Sequence, residues 1–332
     1  MVFGKKKGSS SGKSTTIFYA TDLHGSTICF KKFLNAPAYY KSKGKPVHAL
    51  IMGGDVAGKL IVPILHEGGH FKAHLTGMDY DMTAEDELVA FRKSCDTLGI
   101  YPYIFEPDEY AAFAGDKERQ DKLFKQLVLE RLREWVELAD ERLKDQTFTC
   151  YMSPGNDDFQ EIDDVLGSGD RIVVPNNQRL LIDDEHEMIS SGYANITPFH
   201  CPKDLPEEDL LERLETLAGQ VENMSRCVFN IHVPPRDTGI DDAPHLDADL
   251  RPQIGPQGVV MAAAGSSAVR TLITKYQPLL ALHGHIHESK GVAKIGRTLC
   301  LNPGSEYSEG ILRGLLVTID GDRVESHMMT SG

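Results

Sequence analysis

The strongest constraint on this chain is a set of short, apolar, β-branched runs that each stop at a cluster of polar residues. Residues 16–20 stop at Thr21-Asp22-Leu23-His24-Gly25, residues 47–52 at Gly53-Gly54-Asp55, and residues 148–152 at Ser153-Pro154-Gly155-Asn156-Asp157-Asp158. Residues 227–231 stop at His232-Val233-Pro234-Pro235, residues 279–282 at His283-Gly284-His285-Ile286-His287, and residues 298–301 at Asn302-Pro303-Gly304-Ser305. Runs that are apolar throughout read as strands buried on both faces, which need helices to cover them. Helical patterns over 116–145, 206–224 and from Ser266 or Ser267 to 276 fall between the runs. Alternating strands and helices imply a layered α/β fold.

The rest of the chain bounds the function. With 49 acidic against 35 basic residues the formal net charge is -14, so no long nucleic acid is expected as a partner, whereas a small phosphorylated molecule is compatible. Cys29, Cys95, Cys150, Cys201, Cys227 and Cys300 form no C-x-x-C pair and read as reduced thiols of a cytoplasmic protein. No apolar run is long enough for a membrane span, and no apolar stretch follows Lys5-Lys6-Lys7 as a secretory signal requires. The opening Gly8-Ser9-Ser10-Ser11-Gly12-Lys13-Ser14-Thr15 is one residue short of a phosphate-binding loop and lacks a preceding strand. Residues 1–15 are expected to be a flexible tail, and 16–332 a single domain. Residues 59–146, with a hairpin around Glu67-Gly68-Gly69, read as an insertion that overhangs the site; residues 314–328 read as a C-terminal hairpin.

Strand ends in an α/β sheet are where ligand-binding groups gather. The donors found there are Asp, His and Asn, which hold divalent metals. On an extended chain, residues two apart point the same way, so Asp22 with His24, and His285 with His287, are each expected to reach one ion. Gly53-Gly54 lets backbone approach closely around Asp55.

The order Asp22-x-His24, Gly54-Asp55, Gly155-Asn156, His232, Gly284-His285-x-His287 resembles the calcineurin-like metallophosphoesterases, over residues 16–320. Gly192-Tyr193, Thr197-Pro198 and Asn302-Pro303-Gly304-Ser305 are similar to secondary features of its prokaryotic members. The resemblance implies a four-layer α/β/β/α sandwich and two divalent metal ions per chain (Mn, Fe, Zn, Ni or Co). Asp22, His24 and His287 would hold one ion, and Asn156, His232 and His285 the other, with Asp55 bridging. It also implies a phosphodiesterase or phosphomonoesterase in which a metal-bridging hydroxide attacks phosphorus in line.

The chain departs from the family pattern G-N-H-D/E at one position. It reads Gly155-Asn156-Asp157-Asp158, a G-N-D variant in which Asp157 stands where the family has the histidine that assists the leaving group. Asp157, Asp158 and His200 are the candidate catalytic residues, with His245 a second loop histidine. Lys13, Arg236 and Arg297 are candidate phosphate contacts. The alternative is a metal-stabilised binding or scaffold protein, and a homo-oligomer is compatible with either reading.

Overall fold

The computed structural model describes residues 14–332. Most of the expected tail, with Lys13 and the glycines of the loop-like opening, lies outside the described residues. Thr15, placed in that tail by the sequence reading, instead begins the strand Thr15–Ala20.

Two six-stranded sheets organise the chain. The first runs Arg323–Ser331, Arg313–Asp320, Thr15–Ala20, Ala49–Met52, Thr149–Met152, Ile172–Val173. Its inner strands Thr15–Ala20, Ala49–Met52 and Thr149–Met152 are parallel, in register Tyr19 with Ile51 and Ile51 with Tyr151. The second runs Gly291–Ile295, Thr298–Asn302, Leu280–Leu282, Cys227–Ile231, Glu187–Ser191, Arg179–Leu181. Its four inner strands are also parallel.

Strand alternation decides how these sheets pack. Ile17, Tyr19, Ile51 and Tyr151 of the first sheet share one buried cluster with Met188, Val228, Leu280 and Leu301 of the second. Phe18, Leu50, Met52 and Cys150 join a different cluster, with Phe30 and Phe33 of helix Thr27–Ser42 and Leu132 and Trp135 of helix Lys117–Leu143. Phe229, Ile231 and Ala281 pack instead with Leu210 and Leu214 of helix Glu207–Ala218 and Leu272 of helix Ser267–Tyr276. The strands are thus covered on both faces, which is why their sequences carry no polar alternation. Each large side chain so buried contributes roughly 1.5–3 kcal/mol. The sequence reading contains no helix at Thr27–Ser42, although Cys29, Phe30, Phe33, Leu34 and Pro37 form a buried stripe at helical spacing.

Residues 59–146 divide between two cores. A four-stranded sheet ordered Met78–Met82, His70–Leu75, Ile61–Glu67, Tyr101–Phe105 packs on helix Glu85–Leu98 around Ile64, Leu75, Leu88 and Phe91. Gly68 and Gly69, with φ of 58° and 85°, make the tight turn between Ile61–Glu67 and His70–Leu75. Helix Lys117–Leu143, by contrast, belongs to the main core. His66, His70 and His74 sit half-exposed or exposed on the small sheet and pair with Glu106, Asp81 and Asp79 at 2.9, 2.7 and 2.7 Å. All six cysteines are free. Among the described residues no helix is long and apolar enough to cross a membrane.

One buried histidine ties the sheets' far end together. His186, 1% exposed, places Nδ1 2.8 Å from Asp183 Oδ2 and Nε2 2.9 Å from the Gly321 carbonyl of the C-terminal hairpin. Both partners are acceptors, so both are satisfied only by the imidazolium. Burial opposes that charge, but Asp183 outweighs it and holds the His186 pKa above its ordinary value. A raised folded pKa gives stability that is complete below the unfolded value of about 6.5 and is lost as pH rises through the folded value. His186→Ala is therefore expected to cost about 1–3 kcal/mol at pH 6. The wild-type advantage in urea melts should shrink by pH 9; an equal gap at both pH values would show that the charge contributes nothing.

Candidate metal centre

The parallel strands of both sheets deliver their last residues to one place, and hydrogen bonds beyond the strand ends lock the loops together. Asp22 N–H donates to the Gly54 carbonyl (2.9 Å), His24 N–H to that of Asp55 (3.0 Å), and Gly284 N–H to that of His232 (2.8 Å). The backbone is not extended there, which corrects the expected alternation. Asp22, His24, Asp55 and His285 have φ of 56°, 42°, 49° and 66°. Left-handed kinks, not strand pleating, aim these side chains inward, and they are costly for residues bearing a Cβ. Asn302 supports the His285 loop by donating from Nδ2 to the Gly284 and Ile286 carbonyls at 3.3 and 3.0 Å. Ser305 Oγ donates to the Asp22 carbonyl at 2.7 Å.

The side chains form two linked groups. In one, His287 Nε2 lies 3.4 Å from Asp22 Oδ1 and 3.1 Å from His24 Nε2. In the other, Asp55 joins His232 and His285, with His232 Nε2 3.4 Å from Asp55 Oδ2. Within each group the ligand atoms all lie within 4.8 Å of one another. The groups share a centre, because His232 Nε2 is 3.8 Å from Asp22 Oδ1 and His24 Nε2 is 3.7 Å from Asp55 Oδ2. Asn156 is 1% exposed and donates from Nδ2 to Asp204 Oδ1 at 2.9 Å. That bond leaves its Oδ1 to face elsewhere.

These residues fit divalent cations. Asn156 Oδ1 and His232 Nε2 are buried without a hydrogen-bond partner, which is costly unless something accepts their lone pairs. His232 Nδ1 and His24 Nδ1 approach the Gly53 and Ala57 carbonyls at 3.2 and 3.3 Å, an arrangement that leaves each Nε2 as a free ligand atom. Asp22 and Asp55 are 1% and 3% exposed. Burial alone would raise the pKa of each, but the facing histidines, His232 first, hold both below the usual carboxylate range. Their charge in turn overcomes burial at His232 and pushes it up to about 9. Burial and the His232 charge push His285 down to about 4, so its imidazole stays neutral, with one ring nitrogen bare. Two buried carboxylates drawing a proton onto an imidazole mark a pocket that lacks positive charge.

The other expected catalytic residues are placed differently. Asp158 is fully buried and accepts backbone N–H groups of Val56, Ala57 and Gly155 at 2.9, 2.9 and 2.7 Å. Burial and Asp55 push its pKa up to about 6, but its oxygens are occupied by the backbone, so it is a strut between the Asp55 and Asn156 loops. Asp157 is one-quarter exposed beside the site, with Oδ2 2.9 Å from Lys59 Nζ and Oδ1 accepting from Cys201 Sγ at 2.7 Å. Its two carboxylate oxygens are thus shared between Lys59 and Cys201. His200 is exposed in the turn before Cys201, and its side chain makes no hydrogen bond or ion pair among the described residues. Arg297 donates to the Ser225 carbonyl, and Arg236 lies exposed near Asp237.

Sequence reasoning missed Lys59, Cys201, Asp204 and Tyr307. The Tyr307 ring lies 4.8 Å from His24 and 5.9 Å from His287, between centroids. Nothing in the linear string marks these residues, since each lies outside any motif.

No family model matches the chain. An uncharacterized protein of Methanocaldococcus jannaschii is 30% identical over 152 residues, which are 45% of this chain and 61% of that relative, less than two thirds of its length. One solved structure, 15% identical and matching 96% of this chain and 98% of its own, superposes with a TM-score of 0.52, which shows a shared fold. A structure described as a novel phosphatase of Mycoplasma pneumoniae is 12% identical over 97% of this chain and 94% of its own, with a TM-score of 0.44.

Two outcomes test the geometry. A Cβ on Gly284 would lie 2.3 Å from Asp22 Oδ2, and one on Gly155 would lie 2.0 Å from Asp55 Oδ1. Gly284→Ala and Gly155→Ala are expected to fold but to lose bound Mn²⁺ in elemental analysis, and full metal content in both would mean that the loops yield. Asp158→Asn is expected to lower unfolding free energy by about 1–3 kcal/mol, because its amide cannot accept every N–H. Unchanged stability in denaturant melts would remove its role as a strut.

Proposed function

We propose that this chain is a metal-dependent phosphoester hydrolase built on a four-layer α/β/β/α sandwich, with the residues from Thr15 to 332 as one domain carrying an insertion. The observation that carries this reading is the pair of linked Asp/His groups around buried Asp22 and Asp55, with unpartnered Asn156 Oδ1 and His232 Nε2 beside them. Asp22, His24 and His287 would hold one ion, Asn156, His232 and His285 the other, and Asp55 both. Two such ions supply Lewis-acid charge for phosphoryl oxygens and lower the pKa of water at the site.

The chain's own residues do the rest. Asp22 and Asp55, kept ionised, supply the negative charge that retains cations. The Gly53 and Ala57 carbonyls orient His232 and His24, and Asp204 orients Asn156. Asp158 holds the Asp55 loop to Gly155, so the ligand set is organised before any substrate arrives. Tyr307 and the Asp157–Lys59 pair line the exposed side. The acidic balance favours a small phosphorylated substrate in the cytoplasm.

The test pairs metal content with hydrolysis of bis-nitrophenyl phosphate and nitrophenyl phosphate in added Mn²⁺. About two metals per chain with metal-dependent turnover is expected. His285→Ala is expected to abolish that turnover. Near-normal activity of the variant at saturating metal would remove His285 from the site. Bound metal without turnover on either ester would turn the reading toward a metal-stabilised scaffold.

A further inference from the structure

We propose that Lys59 receives the phosphoryl group of the substrate at the rim of this site, and that it selects the dianion of a phosphomonoester over the monoanion of a diester. The proposal rests on the phosphoester reading above and names the substrate class for that same site.

Lys59 follows directly on the loop that carries Asp55. Its Nζ lies 2.9 Å from Asp157 Oδ2, and the same oxygen lies 4.0 Å from His24 Nδ1. Asp157 in turn forms one group with His24 and Asp55, all ligand atoms within 4.8 Å. The ammonium is thus one carboxylate away from the centre. Its side chain is 47% exposed against 24% for Asp157, so it reaches the centre and solvent together.

The backbone leading to Lys59 is pinned. Gly58 N–H donates to Tyr101 Oη at 2.8 Å, and a Cβ on Gly58 would meet the Gly99 carbonyl at 2.0 Å. The small sheet and helix Glu85–Leu98 therefore hold the lysine in place from behind.

Apart from the cations the centre would hold, an anion entering this mouth meets side chains that accept almost everywhere. Asp22, Asp55 and Asp157 accept only, and the histidine nitrogens near the centre face those carboxylates or each other. Lys59 has three N–H donors and Asp157 uses one, so two remain for an incoming oxygen. A phosphomonoester carries three non-bridging oxygens and nearly two negative charges. A diester carries two such oxygens and one charge, and an alkyl group where the third oxygen would be. The extra ammonium is used fully only by the monoester.

Titration calorimetry on the Mn²⁺-loaded full chain tests this, with inorganic phosphate as the dianion probe and dimethyl phosphate as the monoanion probe. Lys59→Met is expected to weaken phosphate binding about tenfold or more, as loss of a charge-assisted contact does, while dimethyl phosphate changes less than about threefold and Mn²⁺ content stays at the wild-type level. Asp157→Asn, which leaves the ammonium in place, is expected to keep phosphate affinity within about threefold. Equal losses for both probes, no loss for phosphate, reduced Mn²⁺ content in Lys59→Met, or an Asp157→Asn loss as large as that of Lys59→Met would each overturn the role of Lys59. Wild-type protein that holds Mn²⁺ but binds neither probe and hydrolyses neither nitrophenyl ester would overturn the phosphoester reading itself, and this inference with it.

Discussion

Everything around the site follows from burying two carboxylates, Asp22 and Asp55, where the two sheets deliver their strand ends. An unpaired buried carboxylate is costly enough that a protein neutralises it, pairs it or coordinates it. Here imidazoles surround both, and the tightest approach is 3.4 Å. Those imidazoles are a poor final answer, because His232 must become a cation against burial and His285 stays neutral. Cations satisfy the carboxylates and the orphaned atoms of Asn156 and His232 at the same time, which is the physical reason to read the cluster as a metal centre.

Holding that arrangement strains the backbone. Four candidate ligand residues occupy left-handed φ, at about 1–3 kcal/mol each. The surrounding structure over-determines them. Asp158 spends its carboxylate on three N–H groups of the neighbouring loops, and Asn302 clamps the carbonyls on either side of His285. Beneath them, parallel strands covered on both faces form a platform that a side-chain cluster alone could not provide. Glycine enters the same logic at Gly284 and Gly155, where any side chain would displace a carboxylate oxygen.

The exposed side of the site is built by another part of the chain. Residues 59–105 carry their own small core, yet they touch the centre through Lys59, and Gly99 packs against the His24 carbonyl. Ser26 Oγ donates to the Thr97 carbonyl at 2.7 Å, a second tie between helix Glu85–Leu98 and the loop after His24. Asp157 does not work alone but as the partner of Lys59, so the charge at this position belongs to a pair contributed by distant stretches of sequence.

The sequence by itself determined the strands and the donors at their ends. Apolar runs at 16–20, 47–52, 148–152, 227–231 and 279–282 announce burial on both faces, and Asp22, His24, Asp55, Asn156, His232, His285 and His287 stand in the polar clusters that follow them. Local pattern suffices there because covered parallel strands leave only their ends free for polar chemistry. It also sufficed for the hairpins at Gly68-Gly69 and Gly321, where turn geometry demands glycine. Helix Thr27–Ser42 was legible in the spacing of Cys29, Phe30, Phe33, Leu34 and Pro37 but went unread, whereas the division of 59–146 between two cores and the aim of the candidate ligand side chains were decided by tertiary structure. So were the Lys59–Asp157–Cys201 contacts, the strut made by Asp158 and the exposed place of His200. Each depends on groups far apart in the chain meeting through packing and long-range hydrogen bonds, and spacing along a string carries no record of which backbone N–H a carboxylate will find.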